Sequence, residues 1–88
     1  GPYFMVSLRG RQLTVSNMEL ALLRGMVAHE RKLLTAEDVL AFLGRGERTI
    51  SQEDLDQRVR FLRRKIENST AGTLEILPGF RYRLLTAP

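Results

Sequence analysis

The order of apolar and polar positions divides the chain into an extended start, a helical middle and an extended end. Residues 3–8 and 11–15 contain β-branched and aromatic side chains, which favour strands. Arg9 and Gly10 stand between these two stretches and are typical of a tight turn. The sequence therefore predicts a short N-terminal β-hairpin.

Three segments of the middle begin with a hydroxyl residue that is followed three positions later by a carboxylate. These pairs are Ser16 and Glu19, Thr35 and Asp38, and Ser51 and Asp54. In this spacing the hydroxyl oxygen accepts from the amide of the third helical residue, while the acid reaches back to the cap amide. The pattern predicts helices over residues 17–29, 36–43 and 52–67.

Helical periodicity after each of these pairs indicates which side chains enter the core. Apolar residues at i, i+3 and i+4 spacing mark the buried face of an amphipathic helix. The expected core positions are Leu20, Leu23 and Val27 in the first helix, Val39, Leu40 and Leu43 in the second, and Leu55, Val59, Leu62 and Ile66 in the third. Gly44 is expected to end the second helix in a left-handed conformation.

The extended pattern returns at the end of the chain. Residues 73–77 and 82–85 predict two strands, joined by a turn at residues 78–81. The fold class is therefore α+β, with a short N-terminal β-hairpin, three helices and a C-terminal β-hairpin. The length of 88 residues suggests one small domain over residues 3–88, and the initial Gly-Pro is typical of an expression scar left by tag cleavage.

The basic residues are concentrated in the last third of the chain. Residues 1–56 contain seven basic and eight acidic side chains, a net charge of −1, whereas residues 57–88 contain seven basic and two acidic ones, a net charge of +5. The run RVRFLRRK at residues 58–65 holds five of these bases and no acid. Such asymmetry indicates a polyanionic partner, either nucleic acid or an anionic membrane.

At about 100° per residue, the third predicted helix turns its basic side away from its apolar stripe. Arginine can bond guanine through two hydrogen bonds, glutamine can pair with adenine, and an apolar group can meet the thymine methyl. The base-reading candidates on the outer face are Gln57, Arg60, Phe61 and Arg64. Phosphate contacts position a protein without specifying sequence, and the candidates for them on the flanks are Arg58, Arg63 and Lys65.

Other interpretations of this basic helix remain open. A charge run is most often an ordinary solvated face, although such faces normally mix both signs of charge. A basic amphipathic helix can also bind a membrane surface. Here the apolar side is needed for the core of a very small domain, so no membrane contact is expected.

The sequence offers no recognisable enzyme site. His29 is the only histidine and the chain has no cysteine, so no metal shell of these ligands is expected. The place of His29 near a helix C-terminus favours a structural role, and no phosphate-binding glycine motif is present. We therefore expect no catalytic residue, metal or cofactor, and the absence of cysteine fits a cytoplasmic protein.

Four segments carry a family resemblance in their order and spacing. They are LTVSNMELALL at residues 13–23, LLTAEDVL at 33–40, LDQRVRFLRRKI at 55–66 and GFRYRL at 79–84. Together they resemble the winged-helix DNA-binding domain of the OmpR/PhoB class of bacterial response regulators. In the third segment the residues that match the class pattern are Asp56, Val59, Leu62, Arg63, Lys65 and Ile66.

The resemblance implies a winged helix-turn-helix whose third helix, at residues 52–67, enters the major groove of double-stranded DNA. The C-terminal hairpin, at residues 73–85, then forms a wing at the minor groove, with Arg81 and Arg83 as contact candidates. The loop at residues 44–50 matches a segment that contacts RNA polymerase in some members, and its candidates are Arg45, Glu47 and Arg48. Members usually bind direct-repeat sites as head-to-tail homodimers, under the control of a separate receiver domain.

Several departures distinguish this chain from the class. Glu53 and Asp54 stand where the class usually has an Arg-Thr pair, and Phe61 occupies a position that is often basic or polar. The wing lacks the usual arginine before its first glycine, so Arg81 is expected to replace it. A single N-terminal hairpin is expected in place of the usual four-stranded sheet.

The leading hypothesis from the sequence is sequence-specific DNA binding by a bacterial transcriptional regulator. The alternative is a winged-helix module that uses the same basic surface for protein–protein contact, either with the transcription machinery or with an acidic partner.

Overall fold

The computed structural model describes residues 2–88. Its elements, in chain order, are β1 (Tyr3–Leu8), β2 (Arg11–Ser16), α1 (Asn17–Ala28), β3 (Leu34–Thr35), α2 (Ala36–Leu40), α3 (Gln52–Asn68), β4 (Gly72–Leu77) and β5 (Arg81–Thr86). The strands form a two-stranded sheet, β1–β2, and a three-stranded sheet in the order β3–β5–β4. Within these residues, no helix has the length and apolar character that a membrane crossing requires.

The N-terminal hairpin forms as predicted. β1 and β2 pair antiparallel, with Tyr3 opposite Ser16. Arg9 and Gly10 both have positive φ angles, of 51° and 76°, and turns of this kind match the twist of two antiparallel strands. Since Ser16 is also the N-cap of α1, Tyr3 lies close to the point where the chain enters its first helix.

The three predicted helix caps are all present. The side chains of Ser16, Thr35 and Ser51 accept from amides three residues further on, at 3.2, 3.1 and 3.0 Å. Glu19 and Asp38 also accept from the amides of their cap residues, at 2.8 and 2.9 Å, whereas Asp54 does not form the predicted bond to the amide of Ser51. Each cap satisfies amides that have no partner inside the helix, which fixes where the helix begins.

The buried face of α1 differs from the prediction. Leu22, Leu23 and Met26 are buried, whereas Leu20 is only half-buried and Val27 is 40% exposed. Apolar residues lie on several sides of this helix, so more than one stripe satisfies the helical period. Packing of α1 against α3 and the two sheets decides which stripe enters the core.

The end of α2 also differs from the prediction. The helix stops at Leu40 and continues as turns to a buried Leu43, and Gly44 is not left-handed. The guanidinium of Arg48 takes over the role of a glycine cap, because it donates to the carbonyl oxygens of Leu43 and Ala41 at 3.0 and 3.1 Å. A side chain thereby satisfies the carbonyls that a helix end leaves free.

The apolar stripe of α3 is the centre of the core, as predicted. The helix runs one residue beyond the predicted end, and its stripe of Leu55, Val59, Leu62 and Ile66 is fully buried. Burial of one such side chain contributes about 1.5 to 3 kcal/mol. These four side chains therefore stabilise the domain and are not accessible to a partner, whereas the opposite face of α3 is exposed to solvent.

The C-terminal hairpin packs beside α3 and is joined by a strand that the sequence does not predict. β4 and β5 pair antiparallel, with Leu77 opposite Arg81. The unpredicted strand is β3, which pairs with β5 and places Leu34 opposite Tyr82. A strand of two residues is too short to show the alternation of apolar and polar residues from which strands are predicted. Tyr82 is fully buried, so the wing is anchored in the core by a large side chain.

Candidate nucleic-acid interface

The outer face of α3 presents the four predicted base-reading residues together. All four side chains are exposed, and each points away from the buried stripe: Gln57, Arg60, Phe61 and Arg64. Phe61 is 51% exposed, so it is not packed into the core. The sequence-based assignment of this helix to an inner apolar face and an outer basic face is confirmed in its geometry.

Arg60 is held in place by a carboxylate on its own helix. Its Nε donates to Oδ2 of Asp56 at 2.6 Å. The other oxygen of that carboxylate, Oδ1, accepts from the hydroxyl of Tyr82 at 2.8 Å. Asp56 therefore links the outer face of α3 to strand β5 of the wing, because its carboxylate accepts from both Arg60 and Tyr82.

Arg64 is oriented by its aromatic neighbour. Its guanidinium carbon lies 5.7 Å from the centroid of the Phe61 ring, within the range of a cation–π interaction. An exposed ring at this place restricts the arginine to fewer rotamers while leaving its donors free. Phe61 therefore contacts Arg64 on its own helix, whether or not it also contacts a ligand.

The three predicted phosphate-contact residues lie in different environments. Arg58 is exposed, Arg63 is half-buried, and neither takes part in an ion pair among residues 2–88. The Nζ of Lys65 instead donates to Oε1 of Glu19 at 2.7 Å. Arg58 is therefore the flanking cation with the greatest freedom to meet a partner.

The Glu19–Lys65 pair ties α1 to α3. Glu19 is only 6% exposed and also accepts from the amide of Ser16. Burial alone raises the pKa of the Glu19 carboxyl, but the bonds from Lys65 and Ser16 outweigh it and hold this pKa below its ordinary value. The carboxylate is consequently charged at neutral pH, and it neutralises much of the charge of Lys65.

The two wing arginines also differ in how they are held. Arg81 is exposed at the start of β5, and its Nε donates to the carbonyl oxygen of Pro78 at 3.0 Å. Gly79 and Phe80 have positive φ angles, of 81° and 57°, so the turn is tight and presents Arg81 near its tip. Arg83 is half-buried and paired with Glu75 on the neighbouring strand.

The loop at residues 44–50 contains one arginine that is held by the fold. Arg48 caps the end of α2, while Glu47 is half-buried and its amide donates to the carbonyl oxygen of Gly44 at 2.9 Å. Arg45 is exposed and takes part in none of the ion pairs formed among residues 2–88. The loop therefore offers Arg45 as its freest charged side chain.

The contacts that support this surface were not predicted from the sequence. Asp56 and Arg60 stand four positions apart on a predicted helix, a spacing that allows an ion pair, and so this bond could be found from the sequence. The bond from Tyr82 to Asp56 joins residues 26 positions apart, and the bond from Lys65 to Glu19 joins residues 46 apart. No local pattern signals either of these two contacts.

The comparisons with known proteins give a clear likeness in fold. No protein-family model matches the chain, and no curated protein matches it significantly. Among solved structures, the chain is similar to the C-terminal domain of the nisin resistance regulator NsrR, a lantibiotic response regulator. The TM-score is 0.76, over 100% of this chain and 96% of that one, at 20% sequence identity. The chain thus shares the fold of that domain, and the winged-helix architecture predicted from the sequence is confirmed.

Proposed function

We propose that this domain binds double-stranded DNA sequence-specifically, as part of a bacterial transcriptional regulator of the OmpR/PhoB class. In this proposal α3 places its outer face in the major groove and the wing of β4 and β5 lies at the minor groove. The domain acts in the cytoplasm and has no catalytic role of its own.

One observation carries the proposal: α3 carries more exposed cations than the acids of the fold neutralise, because only Arg60 of its outer face is paired with an acid. Arg58 on the flank and Arg64 on the front are exposed and take part in no ion pair among residues 2–88, while the apolar side of the helix is buried in the core. Like charges on adjacent turns repel one another, and a polyanion removes this repulsion. A face that serves only solubility normally intersperses acids with bases.

The dimensions of the helix and of the groove agree with this placement. An α-helix with its side chains is about 10 to 12 Å across, and the major groove is about 12 Å wide. With α3 in the groove, Gln57 and Arg64 point to the base edges. Arg58 and Arg63, on opposite flanks of the helix, point to the phosphates of the two groove walls.

The fold shared with the C-terminal domain of NsrR supports the same function. That protein is described as a lantibiotic response regulator. In the OmpR/PhoB class, which the sequence of this chain resembles, response regulators act through a DNA-binding effector domain. The proposal therefore rests on two features: the fold shared with the NsrR domain and the basic outer side of α3.

Two further partners follow from the proposed class. RNA polymerase is the proposed partner of the loop at residues 44–50, through Arg45 and Glu47, because Arg48 is already bonded to carbonyls of its own chain. A second copy of the domain, bound head to tail on an adjacent direct-repeat half-site, is the other proposed partner.

The experiment that tests the function is a salt titration of duplex binding by fluorescence anisotropy, with a duplex pool that has a randomised centre. We expect log K to fall linearly with log salt, with a slope of about −0.9 for each phosphate contacted, because condensed counterions are released. Binding-site selection from the same pool is expected to enrich one motif. An absence of binding at low salt would contradict the proposal and favour a protein partner for this surface.

A further inference from the structure

Helix α3 has a different neighbour on each of its two flanks. On one side Asp56 is bonded to Tyr82 of the wing. On the other side lies the N-terminal hairpin, where Nζ of Lys65 stands 5.7 Å from the centroid of the Tyr3 ring. The proposed interface is therefore bordered by a β-hairpin on both sides, although only the C-terminal hairpin was expected from the sequence to lie beside the DNA.

A shallow cavity of about 220 Å³ opens between the N-terminal hairpin and α3. It is lined by Tyr3, Ser16, Glu19, Arg58, Phe61 and Lys65. The Glu19 carboxylate is already paired with Lys65, which leaves Arg58 as the uncompensated charge of the cavity. Tyr3 is 63% exposed, so this residue is accessible to a partner that approaches α3 from outside.

We propose that Tyr3 and Arg58 together hold a backbone phosphate of the DNA strand that borders the major groove on the hairpin side. The N-terminal hairpin then acts as a second arm, opposite the wing. This inference rests on the proposed function, and it adds Tyr3 to the residues that contact DNA.

The chemistry of the cavity suits a phosphate better than a base. A guanidinium forms a charge-assisted hydrogen bond with a phosphate oxygen, and a tyrosine hydroxyl is a common donor to the same group. Arg58 lies on the flank of α3, whereas Gln57 and Arg64 occupy the front that faces the floor of the groove. A contact on the flank positions the helix and carries no sequence information.

Substitutions at Tyr3 and Arg58 test the proposal, with Met5 as a matched control. Met5 lies two residues along the same strand, is 68% exposed, and does not line the cavity. We expect Tyr3→Ala and Arg58→Gln each to weaken binding about 3- to 10-fold, the loss typical of one solvent-accessible hydrogen bond. The loss is expected to be equal on a selected site and on a scrambled duplex, and Met5→Ala is expected to change neither affinity.

Two additional readouts separate a phosphate contact from other roles. Tyr3→Phe retains the ring and is expected to lose most of the affinity that Tyr3→Ala loses. Arg58→Gln is expected to reduce the magnitude of the salt slope by about 1, as for the loss of one phosphate contact. Unfolding curves that coincide with those of the wild type show that the fold is intact.

Neutral methylphosphonate linkages, placed one at a time along the selected duplex, locate the phosphate. At one flanking position the neutral linkage is expected to weaken the wild type more than it weakens Arg58→Gln, because the variant keeps only the contact from Tyr3. If the linkage and the substitution act independently at every position, or if Tyr3→Ala binds as tightly as Met5→Ala, the inference is wrong while the proposed function stands. If the wild type binds no duplex, both fail.

Discussion

The hydroxyl of Tyr82 donates a 2.8 Å hydrogen bond to Oδ1 of Asp56 and so joins strand β5 of the wing to helix α3. The second oxygen of the same carboxylate accepts from Arg60 at 2.6 Å. The Asp56 side chain on α3 therefore holds both Tyr82 of the wing and Arg60 of the outer face of α3 in position. The position of the wing relative to α3 depends on a bond that lies inside the domain.

Replacing Tyr82 with Phe is expected to lower the free energy of unfolding by about 1 to 3 kcal/mol, because a partly buried carboxylate loses one of its two donors. The ring itself still fills its place in the core. Urea denaturation at neutral pH measures the change. Tyr3→Phe is the matched control, since Tyr3 is exposed, and a loss of the same size in the control would refute the role given to the Tyr82 hydroxyl.

The same substitution is expected to alter the alkaline pH dependence of stability. Burial raises the pKa of Tyr82, and the bond to Asp56 raises it further, well above its ordinary value of 10.0. A group whose pKa is higher in the folded state contributes stability that is complete below the unfolded pKa and is lost as pH rises through the folded pKa. The stability difference between wild type and Tyr82→Phe is therefore expected to shrink above about pH 10. A difference that stays constant there would argue against this bond.

Breaking the Glu19–Lys65 pair is expected to destabilise the domain at neutral pH. Glu19→Gln should cost about 1 to 3 kcal/mol, less than a fully buried pair, because Lys65 keeps part of its hydration. The pKa of Glu19 is lowered in the folded state, so the contribution is present above the ordinary value of 4.5 and is lost as pH falls through the folded pKa. Denaturation curves of the wild type and of Glu19→Gln, recorded from pH 7 down to about pH 3, measure how far their free energies of unfolding approach each other. Glu37→Gln, at an exposed position, is the control. If Glu19→Gln lowers the free energy of unfolding equally at neutral and at acidic pH, the role given to the Glu19–Lys65 pair is wrong.

Phe61→Leu is expected to reduce the discrimination between a selected site and a scrambled duplex by about 2- to 5-fold, the equivalent of an exposed cation–π interaction. The physical reason is that Arg64 loses the ring that orients it. The test is a double-mutant cycle with Arg64→Ala. If Phe61→Leu still has its full effect when Arg64 is already alanine, then Phe61 acts through its own contact with DNA.

Arg81→Ala is expected to weaken binding about 3- to 10-fold on every duplex and to leave the unfolding curve unchanged, since a contact at the wing positions the domain without reading bases. Arg24→Ala serves as the control, because Arg24 is exposed on α1, outside the proposed interface. Anisotropy at fixed salt gives the affinities. An unchanged affinity for Arg81→Ala would mean that the wing does not reach the DNA.

Features that depend on neighbouring residues could be predicted from the sequence. The three helix caps, the hairpin turn at Arg9 and Gly10, and the buried stripe of α3 all follow from spacings of a few residues. The outer face of α3 follows from the same stripe, because the two faces lie on opposite sides of one helix.

Features that depend on tertiary packing could not be predicted. In α1 the apolar residues satisfy several stripes, and the neighbouring elements decide that Met26 is buried and Val27 exposed. The cavity beside Tyr3 and the bond from Tyr82 to Asp56 each join distant parts of the chain. The cap that Arg48 provides depends on how the loop after α2 folds back on the helix end. Of the candidate interface, the sequence therefore indicated which side chains face outward, but not which of them the fold holds in place.

The affinity ratio between a selected site and a scrambled duplex, measured for the wild type and for Gln57→Ala and Arg64→Ala, tests the central claim most directly. The claim is that the outer face of α3 reads base edges. We expect a wild-type ratio of about 10³ or more, and a loss of about 1 to 3 kcal/mol of discrimination for Arg64→Ala, with a smaller effect on the scrambled duplex. A wild-type ratio near one, or equal weakening on both duplexes, would show that this face does not read sequence.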